Sequence, residues 1–305
     1  MSRRRKNRLL ERLEHMSYHL LGRVVRRLSD ESAQRWGTRL GRWSGRLLRS
    51  RDSLAMRNLR AVFPQRSERD LRAIAGAAWM HFGREMIAFV RAQTLSLDEI
   101  AHRCPFHGAE ILERALDRGK GVVLISAHFG SWEIGGLAIM SLVKNTLTVA
   151  RPLDNSLLER DLATARARTG AAVVDRKRAA RPLLKALAEN RVVILLPDQA
   201  VQPREGVLVP FLGLQAWTTD APAKMALRSG STIVFTFCIP DGTRHRLEFE
   251  EPIDPEALSQ EERDSTRLTE RINEVISRRI ASHPELWLWM HDRWKGTGER
   301  NAHAE

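Results

Sequence analysis

"GVVLISAHFGSWEIGGLAIMSLV", residues 121–143, decides the fold. Its opening "GVVLIS" (121–126) is a short unbroken apolar run with β-branched residues, the pattern of a strand covered on both faces. Residues 132–143 read as a helix. Between the two, Gly130 permits a turn and Ser131 offers a capping oxygen for a helix starting at Trp132. A strand handing over directly to a helix is half of a parallel βαβ unit.

The same alternation continues downstream. "TLTVA" (146–150), "AAVV" (171–174) and "RVVILL" (191–196) read as further buried strands. Helical segments lie between them, at 156–168 behind Asn155 and at 179–189 with Pro182 near its first turn. Later, "TIVFTFCIP" and "RHRLEFEEP" flank Asp241-Gly242, a hairpin signal. A helix over 259–282 and the aromatic tail "HPELWLWMHDRWK" (283–295) close the chain. The expected class is α/β: a mostly parallel central sheet flanked by helices, an N-terminal amphipathic helical region, and antiparallel strands late in the chain.

A polar cluster follows each of the four parallel strands: His128, then Arg151, then Asp175-Arg176-Lys177, then Asp198-Gln199. Ligands of open α/β sheets bind at the carboxyl ends of the strands, so these four positions mark a candidate site. On one continuous helix His128 and Glu133 would stand about 140° apart. The Gly130-Ser131 turn instead leaves His128 in the loop and Glu133 in the first helical turn, where its carboxylate can fold back on the imidazole. A carboxylate on one ring nitrogen leaves the other free as a base, and a purely structural His–Glu pair is the competing reading.

The N-terminal region has its own chemistry. The chain carries a net charge of +13, and residues 1–60 hold 17 Lys/Arg against 5 Asp/Glu. The remainder is therefore nearly neutral, and the basic arm calls for an anionic partner. Leu9, Leu13, Met16, Leu20, Val24 and Leu28 recur at helical spacing, as do Trp36, Leu40, Trp43 and Leu47, with Arg35, Arg39, Arg42, Arg46 and Arg49 beside them. Arginine bordering Trp and Leu suits a lipid headgroup boundary; the other reading is a helix packed on the core. No DNA- or RNA-binding signature accompanies the arginines, so nucleic acid is not an expected partner. The expected division is 1–60 as a membrane-associating arm and 61–305 as the α/β domain. Residues 67–92 read as a further helix behind Ser67, with His81 on it as a packed histidine.

No apolar run approaches the roughly 18–20 residues that span a bilayer. No uninterrupted apolar segment and no A-x-A-like cleavage site follow "MSRRRKNR", so membrane contact is expected to be peripheral. Cys104 and Cys238, the two cysteines, are far apart in sequence and lack partners at zinc-ligand spacing, so neither a disulfide framework nor a metal is expected.

"HFGSWE" (128–133) resembles the H-x4-D/E motif of glycerolipid acyltransferases, and more closely the form found in the bacterial lipid A late acyltransferase (lauroyl/myristoyl) family. "RNLRAVFP" (57–64), "WMHFGRE" (79–85), "ARPLDN" (150–155), "LLPDQ" (195–199), "GVLVPFLG" (206–213) and the aromatic tail are similar to that family in the same order. The resemblance implies transfer of a fatty acyl group from an acyl carrier protein or CoA thioester to a hydroxyl of a membrane lipid at the cytoplasmic face of the inner membrane, with no resident cofactor. It implies His128 as general base oriented by Glu133, and substrate contacts at Arg151, Asn155, Asp198, Gly206 and Phe211. No G-x-S-x-G elbow marks an acyl-enzyme nucleophile, and Ser126 reads as structural. Two departures stand out: the arm is too interrupted to span a membrane, and "PDQAVQPREG" (197–206) is not the P-E-G-T form of glycerol-phosphate acyltransferases. Another glycolipid acceptor, such as a mannosylated phosphatidylinositol or an ornithine-type lipid, remains open, as do a thioesterase or lipid hydrolase and a non-catalytic lipid-binding protein.

Overall fold

In a computed structural model describing residues 8–150, 153–168, 172–175 and 178–297, Val122–Ile125 forms a strand buried on both faces. In chain order the helices are α1 (Arg8–Arg26), α2 (Asp30–Leu47), α3 (Arg49–Val62), α4 (Glu68–Ala92), α5 (Leu97–Arg103), α6 (Ala109–Asp117), α7 (Trp132–Leu142), α8 (Ser156–Arg168), α9 (Ala180–Ala188), α10 (Ala221–Ser229) and α11 (Ser265–Ser282). The strands are β1 (Phe106–His107), β2 (Val122–Ile125), β3 (Leu147–Ala150), β4 (Ala172–Asp175), β5 (Val192–Leu195), β6 (Val207–Phe211), β7 (Leu214–Thr218), β8 (Thr232–Asp241) and β9 (Arg244–Ile253). Seven of them make one sheet in the order β1-β9-β8-β2-β5-β3-β4, parallel except for the β8–β9 hairpin. The mixed α/β class expected from the sequence is therefore the one observed.

The last long helix begins at Ser265, not at 259, because the Asp264 side chain accepts the Thr266 and Arg267 amides and caps it there. A second, two-stranded sheet, β6–β7, was not anticipated. It turns at Leu212-Gly213, both at positive φ, and docks on α11, where the Asn273 amide donates to Pro210 O and Thr218 Oγ1.

The sheet sets the site through its strand order. β2 lies against β5 with Ile125 opposite Leu195, so the two strands end side by side. Three residues beyond each end come His128 and Asp198.

The N-terminal helices pack by their small residues. Gly37 and Gly41 of α2 approach α4 so closely that a Cβ on Gly41 would stand 2.0 Å from the Trp79 carbonyl oxygen. That contact turns the opposite side of α2 outward: Trp43 is 59% exposed and Leu47 73%. On α1, Leu9, Leu13, Met16 and Leu20 are likewise exposed, while Gly22 and Val25 are buried. No helix among the described residues is long and apolar enough to cross a membrane. The division expected at residue 60 falls inside α3, whose Ala55, Met56 and Leu59 belong to the main core.

Candidate active site

The chain reaches the site through a turn that only glycine fits. Gly130 sits at φ +58°, and a Cβ there would lie 2.0 Å from Cys238 O. The Ser131 amide donates to that same carbonyl at 2.8 Å, and α7 starts at Trp132 as the sequence indicated. Ser131 makes no side-chain cap; its contribution to the first turn is its carbonyl, which accepts from Gly135 N at 2.8 Å.

The aromatic tail clasps this loop from the other side. Gly130 N donates to Leu286 O at 2.8 Å and Leu288 N donates to His128 O at 3.1 Å. Asn58 of "RNLRAVFP" holds the tail in turn, donating through Nδ2 to Trp289 O and His291 O, both at 2.9 Å. Ala200 N donates to His291 Nε2 at 3.0 Å, tying the loop after β5 to the tail. Motifs scattered over the sequence thus converge on one loop.

His128 Nδ1 lies 2.9 Å from Asp198 Oδ1. The His128 backbone N–H donates to Asp198 Oδ2 at 2.9 Å, and so does Trp287 Nε1–H. Asp198 is 1% exposed, whereas the His128 side chain keeps 24% exposure, so only the histidine can meet a substrate. Burial alone would raise the Asp198 pKa, but the His128 charge and these three hydrogen bonds hold it below the usual carboxylate value. Burial alone would lower the His128 pKa, but the Asp198 charge and hydrogen bond, with the charge of Glu133, carry it above 6.5. With Nδ1–H donated to a carboxylate, Nε2 is the basic nitrogen.

The carboxylate expected to hold the ring at Glu133 is therefore met at Nδ1 by Asp198, and Glu133 adds a second negative charge nearby. The other expected site residues are not all gathered around the imidazole. Asn155 is buried, caps α8 by accepting from Leu157 N and Leu158 N, and donates to Glu11 O and Glu14 Oε2 of α1. Phe211 is fully buried against Trp287 and Trp294, the first of which donates to Asp198. Gly206 lets the chain pass Thr218, whose carbonyl oxygen would be 2.1 Å from an added Cβ. Arg151, with Arg176 and Lys177, lies outside the described residues.

Three contributors escaped sequence reasoning. Trp287 was one aromatic among many in the tail, and nothing local marks it as a donor to Asp198. His81, read as a packed histidine, uses Nε2–H to hold Gly130 O at 3.1 Å, and burial lowers its pKa to about 4, so it is neutral. Glu85, one turn further along α4, is pushed by burial up to about 7 beside Ser131. The i,i+4 pairing of a histidine and a glutamate on a buried stripe was the available signal.

A buried carboxylate thus holds a partly exposed imidazole at the carboxyl ends of neighbouring parallel strands, an arrangement that can take up a proton at Nε2. The profile of bacterial lipid A biosynthesis acyltransferases matches residues 2–296, and the chain belongs to this family. It is 26% identical over 262 residues to the lipid A biosynthesis palmitoleoyltransferase of Escherichia coli K12, covering 85% of this chain and 83% of that one. It is 28% identical over 269 residues to the lauroyltransferase of the same organism, covering 86% and 84%. A phosphatidylinositol mannoside acyltransferase of Mycobacterium tuberculosis H37Rv is 27% identical over 219 residues, covering 70% and 67%. The protein is accordingly an O-acyltransferase acting on a lipid.

Proposed function

We propose that this chain moves a fatty acyl group from an acyl carrier protein or CoA thioester to a hydroxyl of a lipid A precursor, with His128 as general base. The observation that carries the reading is the Asp198-held imidazole of His128. In this scheme Nε2 takes the proton of the acceptor hydroxyl as its oxygen attacks the thioester carbonyl. The tetrahedral intermediate collapses, the C–S bond breaks, and the imidazolium returns the proton to the departing thiolate. Asp198 fixes the tautomer, and Asp198 and Glu133 together stabilise the imidazolium. Both cysteines are fully buried, at 0% and 1% exposure, which argues against a thiol acyl-enzyme. Arg151 is assigned to an acceptor phosphate or to the developing negative charge.

The test is purified protein with labelled acyl carrier protein and acyl-CoA thioesters, a detergent-dispersed lipid A precursor, and mannosylated phosphatidylinositol as the alternative acceptor. Acylated lipid A precursor is the expected product. Acylation of the mannoside alone would reassign the acceptor, and release of free fatty acid alone would make the protein a hydrolase.

We further assign the exposed faces of α1 and α2 to an anionic membrane surface, with Trp36, Leu40, Trp43 and Leu47 entering the headgroup boundary and arginines meeting phosphate. Binding to anionic vesicles is expected to fall when salt rises to about 1 M, where the screening length is about 3 Å. The double variant Trp43→Glu/Leu47→Glu should fold normally, since both residues are exposed, yet sediment poorly with vesicles. Sedimentation equal to that of the unaltered protein would place the membrane surface elsewhere.

A further inference from the structure

Away from His128, α1 and α8 meet at three side chains that the proposed acyl-transfer chemistry does not use. His15 and His19 stand one turn apart on α1, on one face, and Asp161 comes from α8. His15 Nε2 is 2.8 Å from Asp161 Oδ2, His19 Nε2 is 2.7 Å from the same oxygen, and the two nitrogens are 3.0 Å apart.

With Asp161 ionised, no arrangement of protons satisfies all three contacts. If both Nε2 atoms carry hydrogen, each donates to the carboxylate, but two N–H groups then confront each other at 3.0 Å. If one Nε2 is bare it can accept from its neighbour, but it then turns a lone pair on a carboxylate oxygen. A cation set slightly out of the plane of the three atoms converts every one of these lone pairs into a ligand bond. We propose that His15, His19 and Asp161 form a three-ligand site for a divalent transition-metal ion, Zn²⁺ or a close analogue, that clips α1 onto α8.

The donor set suits that class: imidazole nitrogen favours zinc and its neighbours, and one carboxylate oxygen completes a triad of known type. Zinc–ligand distances of about 2.0–2.2 Å in a tetrahedron separate the ligand atoms by about 3.3 Å. The present contacts need open only by a few tenths of an ångström, within reach of small side-chain rotations. His19 is 43% exposed, so water can take the fourth position. Asn155, which caps α8, already donates to Glu11 O and Glu14 Oε2 of α1, so the ion would reinforce an existing joint. That joint anchors the helix whose exposed Leu9, Leu13, Met16 and Leu20 we assign to the membrane. The sequence pointed away from zinc because its cysteines lack ligand spacing; the H-x3-H step on α1 acquires a third donor only through folding.

The experiment uses the full untagged chain, stripped by chelator and titrated with Co²⁺ and Zn²⁺. Expected are one Co²⁺ per chain with the intense visible bands of a four-coordinate site, their displacement by Zn²⁺, and a higher melting temperature with Zn²⁺. His19→Ala should weaken binding at least about 10–100-fold, the loss typical even when only a supporting partner of a ligand is removed. Asp161→Asn should do the same, while His102→Ala, an exposed histidine on α5, should leave binding unchanged. Absence of stoichiometric Co²⁺ binding, or binding that survives in a His15→Ala/His19→Ala chain, overturns the proposal. Both readouts are independent of acyl transfer, so they stand or fall apart from the proposed function.

Discussion

His128→Ala is expected to lower acyl transfer by about 10²–10⁴-fold, the usual worth of a positioned general base. The same change removes one of three hydrogen bonds to a buried carboxylate. Asp198 keeps the backbone N–H of residue 128 and the Trp287 indole N–H, so it is not stripped of partners. Losing a bond to a charged group costs about 1.5–3 kcal/mol, which a chain of this size tolerates without unfolding. Initial rates at low temperature, with folding followed by circular dichroism, separate the two effects. If His128→Ala is destabilised yet turns over normally when kept cold, the imidazole is structural and the proposed base is wrong.

How far the sequence could be read depends on the range of each interaction. The four parallel strands were legible because each is a short apolar run bounded by turn residues, and β8–β9 because Asp241-Gly242 marks its turn. β6–β7 was missed because its turn, Leu212-Gly213, puts a leucine at positive φ, where no turn rule expects one. The amphipathic stripe of α2 was plain, but not which way it faces; that is set by Gly37 and Gly41 against α4, a contact across the fold. The strand-end polar residues were found singly, and His128 was assigned to the neighbouring carboxylate in sequence, Glu133. Its partner at Nδ1 is Asp198 because β5 inserts beside β2, and that order is decided by packing of the whole sheet. Local spacing carries the motif, while the pairing of its charges belongs to topology.

That pairing yields the sharper experiment, Asp198→Asn. Oδ2 accepts two N–H groups, from the His128 backbone and from Trp287, while Oδ1 accepts from His128 Nδ1. An asparagine can present oxygen on one side only. Oxygen toward the two N–H donors turns its NH₂ toward His128 Nδ1, which must then accept; the ring proton moves to Nε2, and the base is lost. The reverse orientation sets NH₂ against two donors and is worse. Activity should therefore fall by about 10²–10⁴-fold, as for loss of the base itself. The titration of His128 should move as well. In the unaltered protein its pKa lies above 6.5, so the neutral, active form and the rate grow as pH rises through that value. Without the Asp198 charge, burial, already the largest single influence, is no longer outweighed and the pKa should drop, which nuclear magnetic resonance of the ring would read directly. Glu133→Gln, which removes a charge but leaves Asp198 on Nδ1, should lower the pKa and the rate less. Should Glu133→Gln prove the more damaging of the two, with His128 titrating unchanged in Asp198→Asn, the imidazole is governed by Glu133 and the Asp198 assignment fails.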